Sequence, residues 1–181
     1  LPGTPKMSMH ATQGLDNCLP RLLRDAGYRT VYLQAAPLAF MLKDQFMPRI
    51  GFEQVIGASA FEEAHARSAW GVDDGALFER ATDLISWLEG GDGPWFATLL
   101  TVGTHHPYLV PDDFAPDEGD DFARAVAYAD REATRFLDDL VKSGLLENTL
   151  VLVSSDESRG VRGVRGEQDE GDKTDGRDEV S

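Results

Sequence analysis

Two groups of residues in this chain have types and spacing that could do chemistry. The first is Asp156-Glu157, which closes the run Thr149-Leu-Val-Leu-Val-Ser-Ser-Asp-Glu157. Adjacent acids at the end of a β-branched run can hold a divalent cation, divide acid and base duties, or cap the turn that follows. Residue type and spacing leave all three open. The second group is Gly103-Thr-His-His-Pro-Tyr108, in which His105 and His106 follow the apolar run Trp95-Phe-Ala-Thr-Leu-Leu-Thr-Val102. A lone loop histidine is usually a solvated residue, so its interest depends on what else the fold brings to it. Gln34, at the end of Tyr28-Arg-Thr-Val-Tyr-Leu33, is a third polar group at such a terminus. His10 and Ser8 sit in a Pro- and Gly-containing opening stretch and read as solvated loop residues.

The elements that must position these groups follow from pattern. Residues 28–33, 95–102 and 149–157 are rich in β-branched and aromatic side chains without polar alternation, which predicts strands covered on both faces. Between them lie two strongly periodic helices. Asp73 or Asp74 caps the first, with Leu77, Phe78, Ala81, Leu84, Ile85 and Leu88 at helical spacing and Gly90-Gly91 beyond. The second runs from about Phe122 to Lys142 on a stripe of Phe122, Val126, Ala129, Ala133, Phe136, Leu137 and Leu140. A short helix capped by Asp16 or Asn17, with Leu19, Leu22 and Leu23 on one face, ends at Gly27. Residues 38–49 predict one or two helical turns, on which Lys43 and Arg49 taken alone are surface charges. Residues 50–74 read as a connector whose Trp70 packs against the core.

Strand, helix, strand, helix, strand order forces parallel pairing through right-handed crossovers. The fold class is therefore α/β, a parallel sheet flanked by helices, and Gln34, His105 and Asp156 are expected at one carboxyl edge. A neutral amide, a histidine pair and two acids together favour a metal-assisted or phosphoester-handling site. At 181 residues and 41% hydrophobic content, one domain with a real core is expected. The formal net charge of −15 opposes nucleic acid and anionic membrane surfaces and suits a cationic metal. The single Cys18 excludes an internal disulfide. Residues 110–121 carry six acids but lack calcium-loop spacing, so they read as a solvated run. Residues 161–181 are too polar to bury a core and are expected to form a disordered acidic tail after a domain spanning 1–160. The start at Leu1, without methionine, reads as a chain with sequence missing upstream.

An ordered series of motifs then acquires meaning: Asn17-Cys-Leu-Pro-Arg-Leu-Leu-Arg-Asp-Ala-Gly-Tyr-Arg-Thr30, Phe40 to Asp44, Trp70-Gly-Val-Asp-Asp74, Thr101-Val-Gly-Thr-His-His-Pro-Tyr108, Tyr128-Ala-Asp130, and Gly144-Leu-Leu-Glu-Asn-Thr-Leu150 leading to Asp156. With these, the chain resembles the alkaline-phosphatase-like sulfatase superfamily, and within it the lipoteichoic acid synthase and phosphoglycerol transferase branch. The resemblance covers nearly all of residues 1–160.

The resemblance implies an incomplete alkaline-phosphatase-like domain and a parent enzyme acting on phosphate or sulfate esters, its substrate lipid- or glycan-linked. It makes Asp156 a metal ligand in a motif that usually reads Asp-His, with Glu157 where the His is expected. A carboxylate there suits Mn²⁺ or Mg²⁺, with Ca²⁺ the expectation for a sulfatase. His105 is implied to contact phosphoryl or sulfuryl oxygens. Lys43 stands where the glycerol-phosphate transferases usually carry Arg, and Phe40 matches their aromatic, while Met41 and Gln34 replace a Trp and a His. The nucleophile, a Thr, Ser or modified Cys, is expected upstream of Leu1, and a further His ligand beyond Gly160, so this chain alone is expected to be inactive. The parent would face the periplasm or cell exterior, with any membrane attachment through a segment outside this chain. A sulfatase, a phosphoethanolamine transferase, and a non-catalytic or glycan-binding pseudoenzyme are the alternatives.

Overall fold

The computed structural model describes residues 15–114 and 119–155. Asp156, Glu157, the opening loop and the expected tail lie outside the described residues. The chain divides into Leu1–Thr149 and Leu150–Ser181.

In the first unit the sheet is organised around β1 (Arg29–Gln34), which pairs in parallel with β2 (Gln54–Ile56) on one side. On the other side it pairs in parallel with Trp95–Leu100, β5 in chain order, in a register that sets Leu33 opposite Leu99 and Gln34 opposite Leu100. Thr30 to Gln34 are all buried, as a strand without alternation requires. Val31, Leu33 and Ala35 meet Leu77, Ala81, Leu84, Ile85 and Leu88 of α3 (Asp74–Glu89), together with Phe136 and Leu140 of α4 (Asp121–Lys142). Tyr32 points to the opposite face, where Phe46 and Met47 of α2 (Lys43–Arg49), Ile50 and Phe52 form a second core. The two layers that bury β1 are thus written into its odd and even positions.

A two-residue antiparallel hairpin, β3 (Arg67–Ser68) with β4 (Gly71–Val72), lies on the exit of β1, where the Val72 amide donates to the Ala35 carbonyl over 3.0 Å. Gly71 has φ +135°, and a Cβ there would collide with Ala35 backbone, so this approach requires glycine. Both long helices begin on side-chain caps: Asp73 accepts from the Ala76 amide at 3.1 Å and Asp120 from the Ala123 amide at 2.8 Å.

The structure corrects several expectations. The short helix α1 (Leu19–Asp25) begins at Cys18, without a side-chain cap, and Pro20 is its buried residue. Leu19 and Leu22, expected on its buried face, are exposed, because Pro20 and not the leucine face meets the backbone around Gly51. The connector at 50–74 holds β2 and the hairpin, elements too short to show a period. On α4 the buried line is Ala125, Tyr128, Glu132, Phe136 and Leu140, while Val126 is exposed. Arg131 and Arg135 pair with the Glu132 carboxylate, which lets an acid take a place in that line.

In the second unit, residues 150–155 are not a buried strand. They carry no strand pairing, with Leu150 82% and Val153 85% exposed. An unalternating apolar run becomes a strand only where neighbouring strands pair with its backbone and layers cover both faces.

Candidate functional site

β1 and β5 are parallel and adjacent, so their carboxyl ends open at one edge, the usual ligand-binding edge of an open α/β sheet. Gln34 ends β1 fully buried. Its Oε1 accepts from the Tyr32 hydroxyl at 2.8 Å and from Lys43 Nζ at 2.9 Å, and its Nε2 donates to the Ala36 carbonyl at 2.9 Å. Lys43, expected as a surface charge when taken alone, is buried at 7% exposure. Its ammonium is tolerated because an amide oxygen meets it and the Tyr32 ring lies 5.9 Å away. Arg49 is exposed, as expected.

Phe40 precedes Lys43 across two non-glycine residues in the left-handed region, Met41 at φ 59° and Leu42 at φ 56°. The Phe40 ring meets Trp70 edge-on at 5.4 Å between centroids, and Trp70 lies 4.3 Å from the imidazole of His105. Trp70, expected to pack against the core, is instead half-buried between Phe40 and His105, at the turn of the hairpin. His105 is exposed, and its Nδ1 lies 2.7 Å from the His106 carbonyl. A carbonyl only accepts, so Nδ1 carries the proton in that contact and Nε2 remains for a ligand. Tyr108, at φ 62°, closes the segment, and its ring contacts those of His106 and Phe122. Among the described residues, the three non-glycine positions with positive φ, Met41, Leu42 and Tyr108, therefore flank Phe40, Lys43 and His105. Such backbone strain persists where surrounding structure enforces it.

Behind this edge, two consecutive acids at the start of α3 are fully buried. Asp73 Oδ1 accepts from the Tyr128 hydroxyl at 2.7 Å, and its Oδ2 accepts from the Ala66 amide at 2.9 Å. Burial, reinforced by that hydrogen bond to Asp73, pushes the Tyr128 phenol far above its ordinary range. Asp74 Oδ1 accepts from the amides of Val102 and Gly103 at 3.1 and 3.0 Å. Burial also raises the Asp74 carboxyl above its ordinary value, against the lowering effect of the two amides.

The structure thus brings Phe40 and His105 onto the same tryptophan and sets Lys43 on Gln34 at the neighbouring strand end. Sequence reasoning did not connect Trp70 with Phe40 and His105, and it read Asp73 and Asp74 as interchangeable caps. The signal for the second was present, since a helix needs one cap and this one begins with two acids. Among the described residues, no group of three or more His, Cys, Asp or Glu side chains is placed to hold a metal ion. No helix among them is long and apolar enough to cross a membrane.

This parallel sheet and its flanking helices define an alkaline-phosphatase-like fold. The lipoteichoic acid synthase LtaP from Listeria monocytogenes superposes with a TM-score of 0.72 at 22% identity, over 78% of this chain and 36% of that one. A protein of the alkaline phosphatase superfamily from Vibrio parahaemolyticus gives 0.68 at 24% identity, over 77% of this chain and 35% of that one. The chain belongs to the sulfatase family, whose family model matches residues 5–180. It is also similar to phosphoglycerol transferase I of Xanthomonas campestris pv. campestris, with 30% identity over 150 residues, and to that of Escherichia coli, with 28% over 151. In each case 77% of this chain is covered, and it spans about a fifth of the relative's length, 21% and 20% respectively.

Proposed function

We propose that this chain is part of a phosphoglycerol-transferase-like enzyme that moves a glycerol phosphate group, with its substrate-binding edge formed by His105, Phe40 and Lys43. The observation that carries the reading is the packing of Phe40 and His105 on Trp70 at the carboxyl edge of the sheet. The similarity to phosphoglycerol transferases supports the choice of group.

In this reading His105 does the polar work. With Nδ1 engaged by the His106 carbonyl, Nε2 is the ring atom left to meet a phosphoryl oxygen. The Trp70 ring, 4.3 Å from the imidazole, covers one side of it, and Phe40 buttresses Trp70 edge-on. Lys43 adds positive charge held in a fixed place by Gln34. Asp156 and Glu157 are proposed as ligands of a divalent cation, Mn²⁺ or Mg²⁺, which when bound would polarise the ester. The nucleophile is proposed to lie upstream of Leu1 in the parent protein, on the periplasmic or extracellular side of the cell membrane.

The test is calorimetric titration of glycerol 1-phosphate into the chain, with and without Mn²⁺, repeated with His105→Ala and Asp156→Ala. Weaker binding in the first variant, and loss of the Mn²⁺-dependent increment in the second, are expected. Binding that ignores His105→Ala would overturn the site assignment. Preference for inorganic sulfate over glycerol 1-phosphate would move the reading to a sulfuric ester hydrolase.

A further inference from the structure

We propose that Asp74 is a positioning residue for His105: its buried carboxylate holds the Val102 and Gly103 amides and thereby fixes the strand exit that presents the imidazole to Trp70. The role of His105 in substrate binding rests on the function proposed above; the placement of its ring does not.

The geometry is specific at each link. β5 ends at Leu100, so the amides of Val102 and Gly103 lie past the last strand hydrogen bond and need another acceptor. One oxygen, Asp74 Oδ1, takes both, at 3.1 and 3.0 Å. The Val102 carbonyl then accepts from the His105 amide at 3.0 Å, and the His105 carbonyl from the Tyr108 amide at 2.8 Å, which closes the turn that carries the ring. The approach is close enough that a Cβ on Gly103 would come within 2.6 Å of Asp74 Oδ2. That second oxygen is buried and has no hydrogen-bond partner among the described residues. A cap alone does not explain this arrangement, because the N-cap of α3 is Asp73.

The neighbouring acid completes the device. Asp73 Oδ2 holds the Ala66 amide, and the Ala66 carbonyl accepts from the Asp73 amide at 3.1 Å, next to the hairpin that carries Trp70. Consecutive residues of one helix start therefore hold the two segments whose rings meet at 4.3 Å. A rigid helix is a better reference for such a contact than either loop alone.

The experiment uses the full chain labelled with ¹⁵N-histidine and compares the wild type with Asp74→Asn and Asp74→Ala. Long-range proton–nitrogen spectra read the His105 tautomer, and nuclear Overhauser contacts read its distance from the Trp70 indole. Asp74→Asn keeps an oxygen acceptor and is expected to retain the Nδ1–H tautomer and the Trp70 contact, whereas Asp74→Ala is expected to lose the contact with far-UV dichroism unchanged. An unchanged His105 in Asp74→Ala would overturn the proposal, as would an equal loss in both variants. Should Asp74→Ala fail to fold, amide exchange in the wild type decides: protected Val102 and Gly103 amides support the proposal, and freely exchanging ones refute it. Titration with inorganic phosphate separates the two readings. No shift of His105 in the wild type counts against the substrate role, while the tautomer and ring contact still judge the role of Asp74. With binding present, Asp74→Ala is expected to weaken it about tenfold and Asp74→Asn to restore it.

Discussion

Replacing Tyr128 by Phe removes one oxygen from a fully buried pair, and the structure states what that oxygen does. The hydroxyl donates to Asp73 Oδ1 over 2.7 Å, tying α4 to the start of α3. A hydrogen bond to a charged group contributes about 1.5–3 kcal/mol. Asp73 keeps the Ala76 amide on Oδ1 and the Ala66 amide on Oδ2, so it is not orphaned, and the lower part of that range applies: about 1.5–2 kcal/mol. With a urea dependence of about 1–3 kcal/mol per molar, the midpoint should fall by roughly 0.5–2 M. Gly75 supplies an internal control. A Cβ there would meet the Tyr128 hydroxyl at 2.5 Å, whereas the next contacts are Asp73 Oδ1 at 3.0 Å and His65 Cδ2 at 3.3 Å. Gly75→Ala should therefore destabilise the wild type and cost less in the Tyr128→Phe background, a coupling of about 1 kcal/mol in a double-mutant cycle. Alkaline titration gives a second check. The native phenol holds its proton far above the ordinary value of 10.0, so above that pH the native state binds more protons than the unfolded one. Stability is then lost with rising pH, by up to about 1.4 kcal/mol per pH unit, a component Tyr128→Phe should lack. Additive mutations together with parallel alkaline curves would refute the reasoning.

Asp74→Asn should flatten the acid side of the stability curve: the native carboxyl keeps its proton above its ordinary 3.8, so wild-type stability contributed by this group is full below that value and lost as pH rises through the raised one. Urea midpoints of both proteins, measured from roughly pH 3 to 8, test it, and parallel curves would count against a raised carboxyl. Lys43→Met should leave stability within about 1 kcal/mol, because Gln34 Oε1 keeps the Tyr32 hydroxyl. The same variant should weaken glycerol 1-phosphate about tenfold or more; unchanged binding would make Lys43 a residue of the fold only. Leu42→Gly relieves a left-handed leucine at φ 56° but removes a side chain that is 37% exposed, so the two effects oppose and unfolding should show stability within about 1 kcal/mol of the wild type. A loss larger than that would mean the leucine side chain, not its backbone, holds the segment.

What could be read from the sequence follows the length of each signal. α3 and α4 span 16 and 22 residues, long enough for helical periodicity to show, and β1 and β5 are six-residue strands rich in β-branched, aromatic and leucine side chains. β2 has three residues and the hairpin strands two each, so their pairing is decided by β1 and by Ala35, partners far away in sequence. The burial of Lys43 was illegible for the same reason: a lysine is solvated by default, and only Gln34 and Tyr32, contributed by another element, change that. Val126 misled because apolarity alone was counted, while Glu132 gained its buried place through two arginines. The stretch 149–157 has the composition of a strand, but composition alone does not make one, and residues 150–155 are not paired as a strand.

The same distinction separates the motif from the site. His105, Phe40 and Lys43 belong to segments that resemble a known series, yet none of those segments fixes its own geometry. Phe40 and Lys43 are spaced by two residues in left-handed conformations, which isolated chains avoid at a cost of about 1–2 kcal/mol each. His105 sits beyond the last hydrogen bond of its strand. What holds them is supplied from behind: Gln34 for Lys43, Trp70 for Phe40, and the acids opening α3 for the segments carrying Trp70 and His105. A sequence search that weighs only the groups facing a ligand would pass over Asp73 and Asp74. The chemistry expected at this edge depends on them, because a histidine held 1 Å away from its tryptophan would meet a different part of any phosphate ester.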